Sequence, residues 1–376
     1  MDGIYFIGVG QAIFIAALLL AKDKKSTGDW ILIAWMLASA AMLVFFYLNF
    51  IEATSRFTPL LIVLGCLPFL TASLVYLYVK ALTSPTLKHW QIWPHSILFF
   101  AVVFMFFYYY WFTEDSAGIR IGDGYINRGM GLPFLLRYYP LILAGASFLY
   151  PAISLLLLFR HQQVVLNEFS YQESITLKWL RNWIVLELVA FFISYFVIQA
   201  GSVQMFDIVM SFRVLATLIS INIFVVGFYG LRQPIIFKQE KTLVDQVSDK
   251  EKYKSSNLSD EESREILNRL ETKMKEDLLF TRQSLSITEL ANEIDISKHR
   301  LSQVINAQQG SNFYDYVNRY RVDAFKARLD DPQYEHLTML GIALECGFSS
   351  KSSFNQVFKR VEGVTPSQFK AQRGPD

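Results

Sequence analysis

The chain has 376 residues, of which 53% are hydrophobic, 15% aromatic and only 18% charged, with a formal net charge of +2. That composition excludes an ordinary water-soluble protein along the whole length, and the near-neutral balance gives no bulk-charge argument for a nucleic-acid partner.

The first 230 residues contain seven apolar, aromatic-rich runs: Ile4 to Ala21, Trp30 to Ile51, Pro59 to Val79, Ile92 to Phe112, Leu136 to Phe159, Trp183 to Ala200 and Phe206 to Tyr229. Each is near the ~20 residues that a helix needs to cross a bilayer, whereas a buried helix of a soluble domain would be shorter and amphipathic. The first run is not expected to be a cleaved leader. Lys22, Lys24 and Lys25 follow it instead of preceding it, and no small-residue cleavage site is present.

Charge in the loops predicts an orientation. The loops after runs one, three and five carry Lys22, Lys24 and Lys25; Lys80 and Lys88; and Arg160, Lys178 and Arg181. The alternate loops carry Arg56, then Arg120, Arg128 and Arg137 offset by Glu114, Asp115 and Asp123, then no base beside Asp207. The positive-inside rule therefore puts the amino terminus outside and, after seven crossings, the carboxyl terminus in the cytoplasm. Cys66 falls within a span and Cys346 in the cytoplasmic part, so they are not expected to bridge; both read as small packing residues.

Two ionisable residues lie within the runs, Glu187 and Arg213, and these are the candidate signalling residues. Each sits about a turn and a half inside an opposite end of its span. A ~30 Å hydrocarbon core then separates them by roughly 10 Å in depth, which argues against a direct ion pair. At the outer ends, Tyr108, Tyr109, Tyr110 and Trp111, with Arg137, Tyr138 and Tyr139, read as an interfacial aromatic belt. The alternative is a ligand pocket roofed by the loop 113–134, which is rich in glycine (Gly118, Gly122, Gly124, Gly129, Gly131) and in charge (Glu114, Asp115, Arg120, Asp123, Arg128). The chain has no His-Glu-x-x-His, Gly-x-Ser-x-Gly or phosphate-loop pattern and no metal-ligand spacing. No catalytic residue, cofactor or metal is expected.

Beyond the spans the material changes. Residues 231–376 hold 22 Lys plus Arg against 22 Asp plus Glu, and 232–259 read as a polar tether. Ser259 and Glu262 form a capping box that opens a helix to about Leu279, with an apolar stripe of Ile266, Leu267, Leu270, Met274 and Leu278. The stripe packs on its own domain or forms a dimer seam. The boundaries are thus a membrane domain at 1–231, the tether at 232–259, a connecting helix at 260–280 and a final domain at 281–373.

That final domain contains one pattern twice. Ala343 to Cys346 end an amphipathic segment, Gly347 supplies the positive φ of a sharp turn, Phe348 plugs the corner, and Ser349 or Ser350 caps a helix bearing Phe354, Val357, Phe358 and Val361. Ala291, Asp295, Ile296 and Ser297 repeat this spacing, followed by Leu301, Val304 and Ile305 with one residue fewer in the turn. Asn312 to Asp330 reads as a long helix between the two pairs, stopped by Pro332. Thr365, Pro366 and Gln368 start a closing helix with a hydroxyl cap, a proline in the first turn and an amide reaching back.

Helices of this kind read sequence with the face opposite their apolar one. Rotation from Leu301 at ~100° per residue turns His299, Ser302, Gln303 and Asn306 outward, flanked by Lys298 and Arg300. The same rotation from Phe354 exposes Ser352, Asn355, Gln356 and Lys359, flanked by Lys351 and Arg360. Gln303, Gln356 and Asn355 suit adenine edges, Lys359 suits guanine or phosphate, and the basic flanks suit phosphate. The competing reading of each is a solvated helix face.

The last ninety or so residues resemble the AraC-type DNA-binding domain. The resemblance rests on Leu290-Ala291, Ser297, Leu301, Gly310, Tyr316, Arg321, Ala324, Ile342-Ala343, Gly347-Phe348, Ser353-Phe354, Phe358-Lys359, Gly363 and Thr365-Pro366. One departure is Asp295, where the family usually has glycine; aspartate tolerates the left-handed region, so the turn is expected to survive. The resemblance implies two helix-turn-helix units in tandem, and with the seven apolar runs this gives an all-α protein, a seven-helix membrane bundle followed by that domain. It implies bacterial transcription regulation from the cytoplasmic membrane, with double-stranded DNA and the lipid bilayer as partners and a homodimer as the working form. RNA polymerase and an unidentified small ligand complete the candidate partners. The competing classes are a transporter or channel with an appended regulatory domain, and a membrane scaffold that holds a locus near the envelope.

Overall fold

The computed structural model describes residues 3–51, 58–84, 87–112, 138–171, 176–202, 208–232 and 258–372. Among them the secondary structure is helical, apart from one isolated antiparallel bridge between Phe169 and Ser286. The chain forms two compact units: Met1–Phe159 with Lys178–Val244, and Arg160–Leu177 with Asp245–Asp376. The glycine-rich loop 113–134 and nearly all of the tether lie outside the described residues.

The first unit is built from long apolar helices: α1 (Gly3–Leu20), α2 (Thr27–Phe50), α3 (Thr58–Thr83), α4 (Ile97–Phe112), α5 (Tyr139–Glu168), α6 (Lys178–Ser202) and α7 (Ile208–Arg232). Helix α5 runs on past Phe159, so its residues 160–168 belong to the second unit. Six helical segments, Gly3–Leu20, Thr27–Phe50, Pro59–Thr83, Trp93–Phe112, Leu141–Glu168 and Arg213–Arg232, are long and apolar enough to cross a membrane. Helix α6 covers the remaining expected span and carries Glu187.

Helix α2 packs between α1 and α3, and α7 lies against α1 and α2. Close approach is possible there because the contacts are small: a β-carbon on Gly8 would run into Leu43 and Ser220, and one on Gly227 into Ile15. Ser26 and Asp29 make a reciprocal capping box at the start of α2, and Lys22 holds Asp29 at 2.7 Å. Helix α4 carries bare aromatic side chains, Phe104 being 72% and Phe112 76% exposed.

The second unit contains α8 (Asp260–Glu276), α9 (Ile287–Glu293), α10 (Lys298–Gln309), α11 (Phe313–Leu329), α12 (Met339–Glu345), α13 (Lys351–Glu362) and α14 (Pro366–Gln372). The expected box of Ser259 and Glu262 caps α8, and Thr365 and Gln368 exchange the corresponding bonds at α14. Helix α8 ends short of the expected Leu279. Leu278 takes a left-handed φ of 47° that turns the chain into a 3-10 turn at Leu279–Thr281, and its side chain is 42% exposed instead of joining the stripe. Ile266, Leu270 and Met274 pack into the core shared with α9 and α10. With Leu270 wholly buried in its own unit, the stripe is not free to serve as a dimer seam.

Helix α11 joins two cores. Phe313, Tyr316 and Val317 enter the core of α8, α9 and α10, while Tyr314, Val322 and Phe325 enter that of α12 and α13. Phe325 meets the Phe354 ring in a tilted pair with centroids 4.6 Å apart and the Phe358 ring edge-on at 5.5 Å, contacts that favour a fixed arrangement of α13 on α11.

Candidate nucleic-acid interface

The two turns of the second unit close by the same bonds. Ile296 N donates to Ala291 O at 3.0 Å after α9, and Phe348 N donates to Ala343 O at 3.2 Å after α12. In each, the residue before the donor is left-handed: Asp295 at φ 53° and Gly347 at φ 92°. This is the Schellman ending of a helix, in which a positive φ lets an amide two residues past the cap reach back to a free carbonyl. Asp295 thus takes the conformation that glycine usually supplies. A β-carbon on Gly347 would fall 2.5 Å from Phe280 O, so here glycine is required by both conformation and space.

The next helices start from serine caps. Ser297 Oγ accepts from Arg300 N, and Ser350 Oγ from Ser353 N, which selects Ser350 over Ser349 and leaves the extra residue in the second turn. Leu301, Val304 and Ile305 are buried on α10, and Phe354, Val357 and Phe358 on α13. On α10, His299, Gln303 and Asn306 are exposed and Ser302 is half-buried, with Asn306 Nδ2 donating to Ser302 O at 2.8 Å. On α13, Lys351, Ser352, Asn355, Gln356, Lys359 and Arg360 are all exposed.

The flanking bases differ in their partners. Lys298 pairs with Glu168 at 3.2 Å and Arg300 with Glu262 at 3.8 Å, while Arg360 pairs with Asp315 at 2.6 Å and stands 4.9 Å over the Tyr314 ring. Lys351 and Lys359 make no ion pair among the described residues. The exposed amides carry both donors and acceptors, and the lysines carry positive charge, which is the chemistry needed for base edges and phosphates.

One of the residues that carry the resemblance ties this surface together, through partners that the sequence pattern did not show. Arg321, 2% exposed, donates from Nε to Phe280 O at 2.8 Å and from Nη2 to Arg282 O at 2.8 Å. Its Nη1 donates to Ser170 O and its Nη2 to Ser170 Oγ, both at 3.0 Å. Among the described residues no carboxylate pairs with it and its partners are carbonyl, amide and hydroxyl oxygens, while burial lowers its pKa to about 10. Burial also pushes the Cys346 thiol up to about 11, which keeps it protonated and inert beside the second turn.

In the first unit, Glu187 Oε2 accepts from Asn222 Nδ2 at 2.6 Å. Arg213 instead lies over the Phe50 ring, 5.3 Å from its centroid. The two charged candidates therefore have separate partners. Among the described residues no group of three or more His, Cys, Asp or Glu could hold a metal.

Residues 290–372 match the helix-turn-helix domain family, from within α9 to the end of α14, so the class that the fold and the exposed faces define is a helix-turn-helix domain. Over 95 residues the chain is 33% identical to an uncharacterized HTH-type transcriptional regulator of Staphylococcus aureus strain COL, covering 25% of this chain and 12% of the relative. It has the same identity and coverage against one from strain MSSA476. Over 87 residues it is 30% identical to the probable transcriptional regulator LumQ of Photobacterium leiognathi, covering 23% of this chain and 34% of the relative. The chain thus spans between about an eighth and a third of the length of these relatives. No solved structure matches it significantly.

Proposed function

We propose that this chain is a membrane-embedded, sequence-specific DNA-binding transcriptional regulator that couples a signal sensed in or outside the bilayer to transcription. The observation that carries the reading is the pair of matched helix ends, Asp295 and Gly347, each followed by a helix that buries one face and exposes a row of amides and bases on the other. Such a pair forms two helix-turn-helix units in tandem, with Gln303 on α10 and Gln356 on α13 as the central base-reading residues. The match to a helix-turn-helix family and the names of the relatives support the same reading.

The six apolar segments and α6 support seven crossings, with bare aromatic faces turned to lipid. Loop charge supports an outside amino terminus and a cytoplasmic DNA-binding domain in a bacterial inner membrane. Helix-turn-helix proteins that read paired half-sites do so as dimers, so a homodimer is the working form. Glu187 and Arg213 are the residues through which a change in helix packing would be transmitted. The test is genome-wide mapping of DNA bound by the full-length protein, followed by binding assays on the recovered sites. Gln303→Ala and Gln356→Ala should each lose ~1–3 kcal/mol of discrimination between the site and a mismatched duplex. Undiminished discrimination in both variants would reject α10 and α13 as the reading helices.

A further inference from the structure

The residues that end α5 are part of the second unit, and they are seated there by buried polar bonds. Phe169 and Ser170 are 6% and 1% exposed, and Leu166 packs against the core of α12 and α13. Ser170 donates to Leu285 O twice, from its backbone N at 3.1 Å and from Oγ at 2.7 Å, and Phe169 bridges to Ser286 at the cap of α9. From the other side, Arg321 grips Ser170 at both its carbonyl and hydroxyl oxygens, and Asn318 Nδ2 adds a bond to the same carbonyl at 3.2 Å.

Such a seat is specific. If the segment left, Asn318 and Arg321, 1% and 2% exposed, would each lose an acceptor at a buried position, which is costly. Two residues before Ser170 comes Glu168, whose carboxylate holds Lys298, the first residue of α10 and the basic flank of that reading face. A lysine paired in this way has its charge compensated, and the carboxylate beside it opposes the approach of a phosphate.

We propose that residues 160–171 are an intramolecular clamp on the DNA-binding unit, seated by Ser170 on Arg321 and withholding Lys298 from phosphate through Glu168. The clamp rests on the DNA-binding reading for its consequence but not for its docking. Because α5 is one continuous helix from Tyr139 to Glu168, displacement of its membrane portion pulls directly on Glu168 and Ser170. The clamp is thus a route by which a membrane event reaches the first reading helix without passing through the tether.

The experiment uses the full-length protein in phospholipid nanodiscs and a duplex recovered by the mapping. A Phe169→Cys, Ser286→Cys pair should close under mild oxidation, detected by mass without any DNA, and the locked form should bind the duplex more weakly than the same protein reduced. Glu168→Gln should bind about eightfold tighter at about 0.1 M salt and steepen the log–log salt slope by ~0.9, the signature of one added phosphate contact. Failure of the cysteine pair to close would overturn the docking. Equal affinity of locked and reduced forms, with an unchanged slope for Glu168→Gln, would overturn the withholding. Closure in a protein that binds no recovered duplex in any form would uphold the docking and count against the DNA reading itself.

Discussion

Helices α10 and α13 come from one repeated pattern, yet they are presented differently. On α13 the polar face is exposed, and among the described residues Arg360 is its one base in an ion pair, with Asp315. On α10 both basic flanks are held by acids from outside the helix pair, Lys298 by Glu168 and Arg300 by Glu262. The same fold therefore yields one proposed reading helix whose lysines make no ion pair among the described residues and one whose basic flanks are already engaged. The difference arises from what is packed around each helix, since the turns and caps that position them are alike.

That comparison can be broken at its root. Arg321→Met should destabilise the second unit by about 3 kcal/mol or more, because the carbonyls of Phe280, Arg282 and Ser170 lose their shared donor. Thermal unfolding and limited proteolysis of the full-length protein would show the C-terminal unit opening first, with both reading helices lost together. Gly347→Ala comes next, at about 2 kcal/mol, from the left-handed φ and the approach to Phe280 O. At the equivalent turn, Asp295→Gly should have the opposite sign and stabilise by about 0.5–1 kcal/mol, since Asp295 holds φ 53° without glycine's freedom. Effects of the same sign at both turns would mean that the two are not equivalent.

The smallest effects bear on charge. Lys359→Gln should weaken binding to all duplexes alike and lower the salt slope by about one contact. Lys298→Gln should change the slope less, because Glu168 already occupies that charge. A salt titration of the two variants side by side would erase the contrast if their slopes fell equally.

Much of this was legible in the sequence wherever the determining interaction is local. Ser259 with Glu262, and Thr365 with Gln368, lie three residues apart and mark their helix starts. Gly347 marks its turn because few residues tolerate that φ, and the spacing shared with Asp295 carried the turn to the earlier pair. Leu278 gives no such signal, as a leucine in the left-handed region is held there by surrounding structure, not by its own preference. The clamp was illegible for another reason. Glu168 and Ser170 sit in what reads as the loop 160–182 between spans, and Ser170 meets Arg321 across 151 residues of chain. Asn318 likewise looks like the polar face of α11, and the resemblance that marks Arg321 does not show its distant partners. Glu187 was conspicuous as an ionisable residue in an apolar run, but its pairing with Asn222, 35 residues further on, was not.

The separation of Ser170 from Arg321 also sets an order of assembly. During synthesis, residues 160–171 emerge well before the carbonyl of Leu285 and the guanidinium of Arg321 exist to receive them. Closing so long a loop carries an entropic penalty that grows only slowly with length, but the closure must wait for the last third of the chain. The second unit is therefore a late-maturing part of the protein, completed on a peg carried by then at the end of the finished helix α5. Truncation after the seventh apolar run would leave that peg exposed, with Phe169 and the polar atoms of Ser170 open to water and to proteases.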